Sequence, residues 1–186
     1  MKKIVVGDIC TIRFGLYEQP APYGPVAYLQ VGQFNDDGRM VNEVDEYIDP
    51  SEKTEAHLLK DGDVLFVGKG NRLFAWCYRK TDMPVVASSI FFVLRPDASL
   101  IYPEYLSAIL NAPQSKAAFQ QIGAGTNIFS LRKSELSAFE IPLPTMQRQK
   151  KIAAVAQLHQ QEIELAQQLI VQKQNIYTAV ISKLIK

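Results

Sequence analysis

The last part of the chain constrains the fold most, because residues 146–186 contain neither glycine nor proline. Alanine, glutamine, leucine, isoleucine and lysine dominate this stretch, and all of them except isoleucine are strong helix formers. The composition predicts one helix of about 38 residues, roughly 57 Å long at 1.5 Å per residue. Because the amino-acid composition changes after "IPLP", we expect a domain over residues 1–144 and a helix over residues 145–186.

Apolar residues recur along the predicted helix with the heptad spacing of a coiled coil. The two seams contain the predicted helix-interface residues Ile152, Ala156, His159, Ile163, Ala166, Ile170, Lys173, Tyr177, Val180 and Leu184. Val155, Leu169 and Ile176 widen the apolar stripe. A helix this long would extend beyond a domain with a radius of gyration of about 15 Å. We therefore expect it to pair with a second copy or with another subunit's helix; packing on its own domain is the alternative.

The rest of the chain predicts a mixed domain, so the fold class is α+β with one long C-terminal helix. Turn signals occur at "NDDG" and "KDGD". Two helices are expected at residues 103–110 and 114–122, separated by Asn111-Ala112-Pro113. Strands rich in β-branched and aromatic residues are predicted at residues 26–32, 64–67, 73–78 and 85–94.

Cysteine usage and hydropathy bear on the compartment. Cys10 and Cys77 are too few for a disulfide framework and lack CxxC spacing, which favours a reducing environment. The start, "MKKIVVGD", has too few apolar residues for a signal peptide. No stretch approaches the roughly 20 apolar residues of a membrane span. These features predict a cytoplasmic protein without a membrane partner.

The formal net charge of +1 hides an uneven distribution. Residues 36–55 contain eight acids and two bases, a local charge of −6, so the rest of the chain carries +7. Solvated faces of either sign are the simplest interpretation. A chain whose acids are concentrated in one segment can nevertheless present a basic surface elsewhere, so a nucleic-acid partner remains compatible with the charge.

The usual motifs of catalysis are absent. The two histidines, His57 and His159, do not form a zinc-ligand pattern, and there is no G-x-S-x-G elbow. The glycines of "GKGNR" lack the Walker order, and no Pro-Pro occurs as in amino-methylating enzymes. Pro96-Asp97 is not followed by the acid-x-Lys of restriction-type nucleases. We expect no catalytic residue, metal or cofactor in this chain.

Basic and polar residues in and near glycine-flanked loops favour a binding surface instead. Lysine and arginine neutralise phosphates, while arginine and asparagine can hydrogen-bond guanine and adenine edges. The candidate DNA-binding residues are Arg13, Tyr17, Lys69, Asn71, Arg72, Arg79, Lys80, Thr126, Asn127, Arg132 and Lys133. For each residue taken singly, an ordinary solvated side chain is the alternative. Trp76, Phe91 and Phe92 alternate within strands and are expected in the core.

Several segments, in this order, resemble one half of the specificity subunit of type I restriction–modification enzymes. They are "VVGDICTIRFG", "YLQVGQF", "LLKDGDVLFVGKGNR", "ASSIFFVLRPD", "YPEYLSAILNAPQSKAAFQ", "GAGTNIFSL" and "IPLPTMQRQKKIAAV". The resemblance implies a target-recognition domain followed by a conserved helix. In that family two such units occur in tandem, and their antiparallel helices space two DNA-binding heads.

The resemblance also implies that DNA recognition and catalysis belong to different subunits. The specificity subunit is not catalytic; it recruits modification subunits that methylate adenine with S-adenosylmethionine and restriction subunits that use ATP. With one recognition unit, this chain is expected to dimerise through its helix and read a bipartite site on double-stranded DNA. Two alternatives stay open: a specificity fragment of a fused type II-like methyltransferase or endonuclease, and a coiled-coil adaptor without DNA affinity.

Overall fold

The computed structural model describes residues 2–70, 72–122 and 130–185. The chain divides into two compact units, Met1–Lys150 and Lys151–Lys186. The strands of the described residues are β1 (Lys3–Val5), β2 (Cys10–Phe14), β3 (Val26–Leu29), β4 (Tyr47–Ile48), β5 (Val64–Lys69), β6 (Arg72–Cys77), β7 (Val85–Ala87), β8 (Phe91–Pro96) and β9 (Glu140–Pro142). The helices are α1 (Val6–Ile9), α2 (Glu52–His57), α3 (Pro103–Asn111), α4 (Pro113–Ile122), α5 (Lys133–Ser137) and α6 (Met146–Leu184).

Two sheets enclose the main hydrophobic core of the first unit. One is antiparallel with the strand order β2-β8-β5-β6, and the other has the order β4-β3-β7 with β3 and β7 parallel. Leu29 and Ala87 of the smaller sheet share a buried cluster with Leu65 of the larger one. Phe34 lies in the same cluster, with its ring centroid 5.2 Å from that of Phe74. The α+β fold class is therefore present.

Helices cover the opposite face of the four-stranded sheet. The ring of Phe66 on β5 lies 5.1 Å from that of Phe119 on α4, which in turn lies 4.1 Å from that of Phe139. On α3, Tyr105 and Leu106 are fully buried. Strand β5 is consequently buried on both faces, which explains why "VLFV" reads as an uninterrupted apolar run rather than an alternating one.

The predicted strand over residues 85–94 is wrong, because the chain turns in its middle. β7 ends at Ala87, and Phe91 N–H donates to the carbonyl of Ser88 at 3.0 Å before β8 begins. β7 pairs with β3 in the small sheet, whereas β8 pairs with β2 and β5 in the large one. Both strands are buried, so the apolar pattern alone did not reveal the turn.

Other predicted elements are close to those observed. The strand expected over residues 26–32 ends at Leu29 and is followed by a 3-10 turn, Val31–Gln33. The helices expected on either side of Ala112 are α3 and α4. Both predicted turns form, with Gly38 N–H donating to the carbonyl of Asn35 at 3.0 Å. The short elements α1, β4, α2, α5 and β9 were not among the predicted strands and helices.

An ion pair inside the first unit joins the "KDGD" turn to β8. Asp63 is 1% exposed, and its two carboxylate oxygens accept from Nε and Nη2 of Arg95 at 2.8 and 2.7 Å. Oδ2 also accepts from the backbone N–H of Lys60. The hydrogen bond to Asp63 raises the pKa of the Arg95 guanidinium above its usual value. The two-point contact between Asp63 and Arg95 therefore fixes the turn against the sheet.

Removal of the Asp63 carboxylate should destabilise the domain. In Asp63→Ala the Arg95 charge stays half-buried without its partner, and we expect a loss of about 2–4 kcal/mol in the free energy of unfolding by urea titration. Asp61→Ala is the matched control, because that exposed carboxylate pairs with the exposed Arg79 and should change the midpoint much less. Equal shifts in the two variants would contradict this role for Asp63.

Asn111 closes the outer edge of the four-stranded sheet. Strand β6 is an edge strand, and its residue Ala75 is 3% exposed. The Asn111 side chain accepts from Ala75 N–H at 2.8 Å and donates to the Ala75 carbonyl at 2.7 Å. Ser107 donates to the same carbonyl at 3.1 Å. The amide of Asn111 thus takes the place of a neighbouring strand, which protects this edge from pairing with another chain.

Asn111→Ala should cost about 2–3 kcal/mol in the free energy of unfolding, because it leaves a buried backbone N–H without an acceptor. In Ser107→Ala the Asn111 amide still serves both backbone groups, so the loss should be below about 1 kcal/mol. Chemical denaturation of the two variants beside the wild type measures the difference. A neutral Asn111→Ala variant would show that water replaces the amide at this edge.

Helix α6 starts in the first unit, where a buried glutamine holds its first turn. Gln149 is 1% exposed, accepts from Tyr102 N–H at 2.8 Å and donates to the carbonyls of Leu100 and Pro144 at 3.1 and 3.0 Å. Helix α6 contains 39 residues, and its composition predicted about 38. No helix in the described part of the chain is long and apolar enough to cross a membrane.

Candidate nucleic-acid interface

The glycine-flanked basic stretch is a tight hairpin rather than an open loop. Strands β5 and β6 stay paired up to Lys69 and Arg72, so two residues connect them. Gly70 has φ +80°, a backbone conformation that disfavours residues with a Cβ atom and is typical of two-residue hairpins. Lys69 is exposed, whereas Arg72 is half-buried. Asn71 lies outside the described residues. The prediction of a polar loop is thus corrected to a hairpin end.

A second segment joins this hairpin end on the side of β5. Beyond Val67, β8 no longer pairs with β5, and Leu131 N–H donates instead to the carbonyl of Gly68 at 2.7 Å. Ser130 forms an antiparallel bridge with Lys69. A Cβ atom on Gly68 would lie 3.1 Å from that of Leu131, so the glycine permits this close approach. The glycines of the stretch therefore serve a turn and a packing contact, not a phosphate-binding loop.

Arg132 and Lys133 follow this bridge directly, and both are exposed. Arg132 precedes the short helix α5, in which Lys133 is the first residue. The backbone N–H of Arg132 donates to Oε2 of Glu135 at 2.7 Å, which holds the start of the helix. The structure thus brings together the predicted residues Lys69, Arg132 and Lys133. Thr126 and Asn127, predicted for the same surface, lie outside the described residues.

The guanidinium of Arg72 forms its contacts within the protein. Nη1 donates to the carbonyls of Val31 and Phe34, each at 2.9 Å, and Nε lies 3.1 Å from Oδ1 of Asp36. The side chain therefore links the hairpin to the 3-10 turn and to the start of the acidic segment. A DNA contact by Arg72 stays a prediction, but the structure already engages these guanidinium nitrogens.

Arg13 is likewise engaged, and it lies in strand β2 rather than in the polar loop that was expected. Its Nη2 donates to the carbonyls of His57 and Leu58 at 3.2 and 3.0 Å, and Nη1 donates to that of Ala56. These carbonyls lie at the C-terminal end of α2, where a cation satisfies otherwise unpaired acceptors. Burial, followed by the neighbouring charge of Arg95, lowers the pKa of Arg13 from its usual value.

The remaining predicted contacts lie elsewhere. Arg79 and Lys80 follow β6 at the end of the hairpin opposite Lys69, about 20 Å away for strands of six residues. Arg79 forms ion pairs with Asp61, at 3.2 Å, and with Glu104. Tyr17 is 85% exposed in the segment after β2. Among the described residues, Arg79 and Lys80 therefore lie apart from Lys69, at the opposite end of the hairpin.

The predicted helix interface is exposed to solvent. Eight of its ten residues are exposed, and Ala156 and Ile163 are partly exposed. The heptad count missed Leu158 and Leu165, which are 64% and 66% exposed. Leu158 follows Val155 by three residues and Leu165 follows Leu158 by seven, so these residues extend the apolar face around the helix. The same periodicity would have identified them from the sequence. Pairing of this face stays a prediction.

No metal-binding cluster of three His, Cys, Asp or Glu side chains occurs among residues 2–70, 72–122 and 130–185. The two cysteines are also unsuited to nucleophilic chemistry. Burial raises the pKa of Cys10 to about 12 and that of Cys77 to about 11, so both thiols are protonated near neutral pH.

Iodoacetamide should therefore label the native protein at pH 8 about 100-fold more slowly than the urea-unfolded protein, because its thiolate fraction is far smaller. Folding stability should also depend on these thiols. Their folded pKa values lie above the ordinary value of 9.0, so their contribution is intact below pH 9 and is lost as the pH rises toward 12. Rapid labelling of the native state would contradict this account of the thiols.

Comparison with solved structures identifies similar folds. A chain from a study of "complex assembly and conformational transition of the type I R-M system" matches with a TM-score of 0.64 and 16% identity over 90% of this chain. The HsdS subunit from Thermoanaerobacter tengcongensis matches with 0.60 and 16% over 88%, and the type I S subunit from M. genitalium with 0.60 and 15% over 88%. At this identity the likeness concerns the fold alone.

This chain spans only 38–40% of the length of those three structures. No curated protein matches its sequence. The family model described as "Type I restriction modification DNA specificity domain" matches residues 1–173, and so includes both the sheet domain and most of α6. The chain therefore belongs to the type I restriction–modification DNA specificity domain family.

Proposed function

We propose that this chain is a non-catalytic, sequence-specific DNA-binding subunit of a type I restriction–modification system. The family match over residues 1–173 carries the proposal, because it includes both the first unit, Met1–Lys150, and most of α6. We call the first unit the head. The head would read one half-site of double-stranded DNA. Adenine methylation and cleavage would be performed by modification subunits with S-adenosylmethionine and by restriction subunits with ATP, in the cytoplasm.

A homodimer through α6 would supply the second head. The support is the apolar face of the helix, on which Ile170, Tyr177 and Leu184 are 56–77% exposed. Such a face is unfavourable in water unless another helix covers it. One recognition unit in each chain then gives two identical heads related by a two-fold axis. The target would be an interrupted palindrome whose gap depends on the length of the helix.

The charges of the seam favour an antiparallel arrangement of the two helices. In a parallel, in-register pair, Lys173 would face the partner's Lys173 within an apolar layer, where two like charges repel and lose hydration. An antiparallel pair separates these lysines and places each beside other seam residues. The resemblance to tandem specificity subunits, in which the two helices are antiparallel, points in the same direction.

A charge introduced into the seam tests the dimer. We expect the wild type to be a dimer at micromolar concentration by light scattering, and Ile170→Glu to raise the dimer dissociation constant at least tenfold, because a carboxylate would be buried there. Gln168→Glu is the matched control, since it adds the same charge on the opposite side of α6. A monomeric wild type, or equal weakening by both variants, would count against self-pairing.

The DNA target is tested by methylome sequencing of a host with and without this gene, in the presence of the modification and restriction genes. The proposal expects one adenine-methylated motif with two identical inverted halves, which disappears when the gene is deleted. Two unlike halves would exclude the symmetric dimer. If binding to duplexes is absent or independent of salt in the presence of the modification subunit, the chain is an adaptor without DNA affinity. A contiguous catalytic domain in the same gene would identify a fused enzyme.

A further inference from the structure

We infer that Lys69, Arg132 and Lys133 form the strip that contacts the DNA phosphates, whereas Arg13 and Arg72 hold the scaffold in place. The inference rests on the proposed function and assigns it to one end of the four-stranded sheet. It separates the basic residues of the head into those that present a charge to solvent and those whose charge is used within the fold.

The strip is built by the bridge between Lys69 and Ser130. These two residues are paired across an antiparallel bridge, and the Leu131–Gly68 hydrogen bond of 2.7 Å fixes the register beside them. Arg132 then lies two residues from Ser130, about 7 Å along an extended chain. The Cα atoms of Lys69, Arg132 and Lys133 therefore lie within roughly 15 Å of one another. Phosphates of one DNA strand follow each other at about 3.4 Å along the helix axis, so three side chains at this spacing can contact neighbouring phosphates.

Charge on the two sides of the hairpin determines where the duplex would lie. On the Arg72 side, Asp36 is 89% exposed and begins the acidic segment, so its field repels phosphates. On the Lys69 side Arg132 and Lys133 are exposed, while Glu135 is only partly exposed and accepts the backbone N–H of Arg132. A polyanion is therefore attracted to the side that carries α5 and is repelled from the other.

Arg13 and Arg72 already form hydrogen bonds within the fold. Arg72 contacts two carbonyls and the Asp36 carboxylate, and Arg13 contacts three carbonyls at the end of α2. Withdrawing either side chain to reach a phosphate would leave those acceptors without their donors, and this cost opposes such a movement. Arg72 is thus a positioning residue, since it ties the strand that faces Lys69 to the 3-10 turn.

Salt titration separates these roles. The full chain is titrated by fluorescence anisotropy with a scrambled duplex and with the duplex carrying the methylated motif, in the presence of its modification subunit. The slope of log K against log salt is negative, and its magnitude should decrease by about 0.9 on both duplexes in each of three variants: Lys69→Ala, Arg132→Ala and Lys133→Ala. At about 0.1 M salt each should weaken binding roughly five- to tenfold, which is the factor expected for one lost phosphate contact.

Lys60→Ala is the matched control, because this exposed lysine lies in the turn before β5, at the end of the strand opposite Lys69, and its salt slope should equal that of the wild type. Melting temperatures provide the second readout. The three strip variants should melt like the wild type, whereas Arg72→Ala should lose affinity and melting temperature together, because it breaks the contacts to Val31 and Phe34.

The inference is overturned if the wild type binds its motif and the strip variants keep the wild-type slope, or if Lys60→Ala reduces the steepness of the slope as much as they do. In either case the proposed function stands and only the location of the interface changes. If the wild type binds neither duplex in a salt-dependent manner, the proposed function fails as well, and the two failures are distinguished within one experiment.

Discussion

Strand β5 is buried on both faces, and the arrangement of the first unit follows from this constraint. Val64, Leu65, Phe66 and Val67 are at most 1% exposed, so both faces of the strand require an apolar cover. The smaller sheet supplies one cover through Leu29 and its neighbours, and α4 supplies the other through Phe119. Pairing of β8 with β5 ends at Val67, and Leu131 and Ser130 pair with the last two residues of β5 instead. Lys69 is the exposed last residue of this otherwise buried strand, so the strand fixes its backbone at the end of the sheet.

The charged residues of this domain serve two different purposes, and side-chain chemistry separates them. An arginine presents several donors in a fixed plane, so it can join distant segments through carbonyls and carboxylates. Arg13, Arg72 and Arg95 act in this way at the end of α2, at the 3-10 turn and at the buried Asp63. Lys69 and Lys133 are exposed at the surface. An inventory of basic residues therefore overestimates a DNA-binding surface unless the internal hydrogen bonds of each arginine are known.

Sequence patterns predicted the longer elements because local signals specify them. Helices α3, α4 and α6 follow from Pro103 at a first turn, from Pro113 after Asn111 and from the absence of glycine after Pro144. The strand expected over residues 85–94 was wrong, since buried β7 and β8 have the same apolar composition and only pairing partners distinguish them. Short elements such as α2 and β4 escaped prediction, because two to six residues carry too little periodicity.

The sequence by itself determined the family, the α+β class, the position of the long helix and the absence of familiar catalytic motifs, because these depend on composition, spacing and order along the chain. Only the tertiary structure decided which basic residues lie together. Ser130 forms a β-bridge with Lys69, which lies sixty-one positions earlier in the sequence, and Arg72 donates to the carbonyl of Val31, forty-one positions earlier. Such contacts are set by strand pairing and burial far from each residue. No local pattern distinguishes the Arg72 guanidinium, satisfied inside the fold, from the Lys69 ammonium exposed beside it.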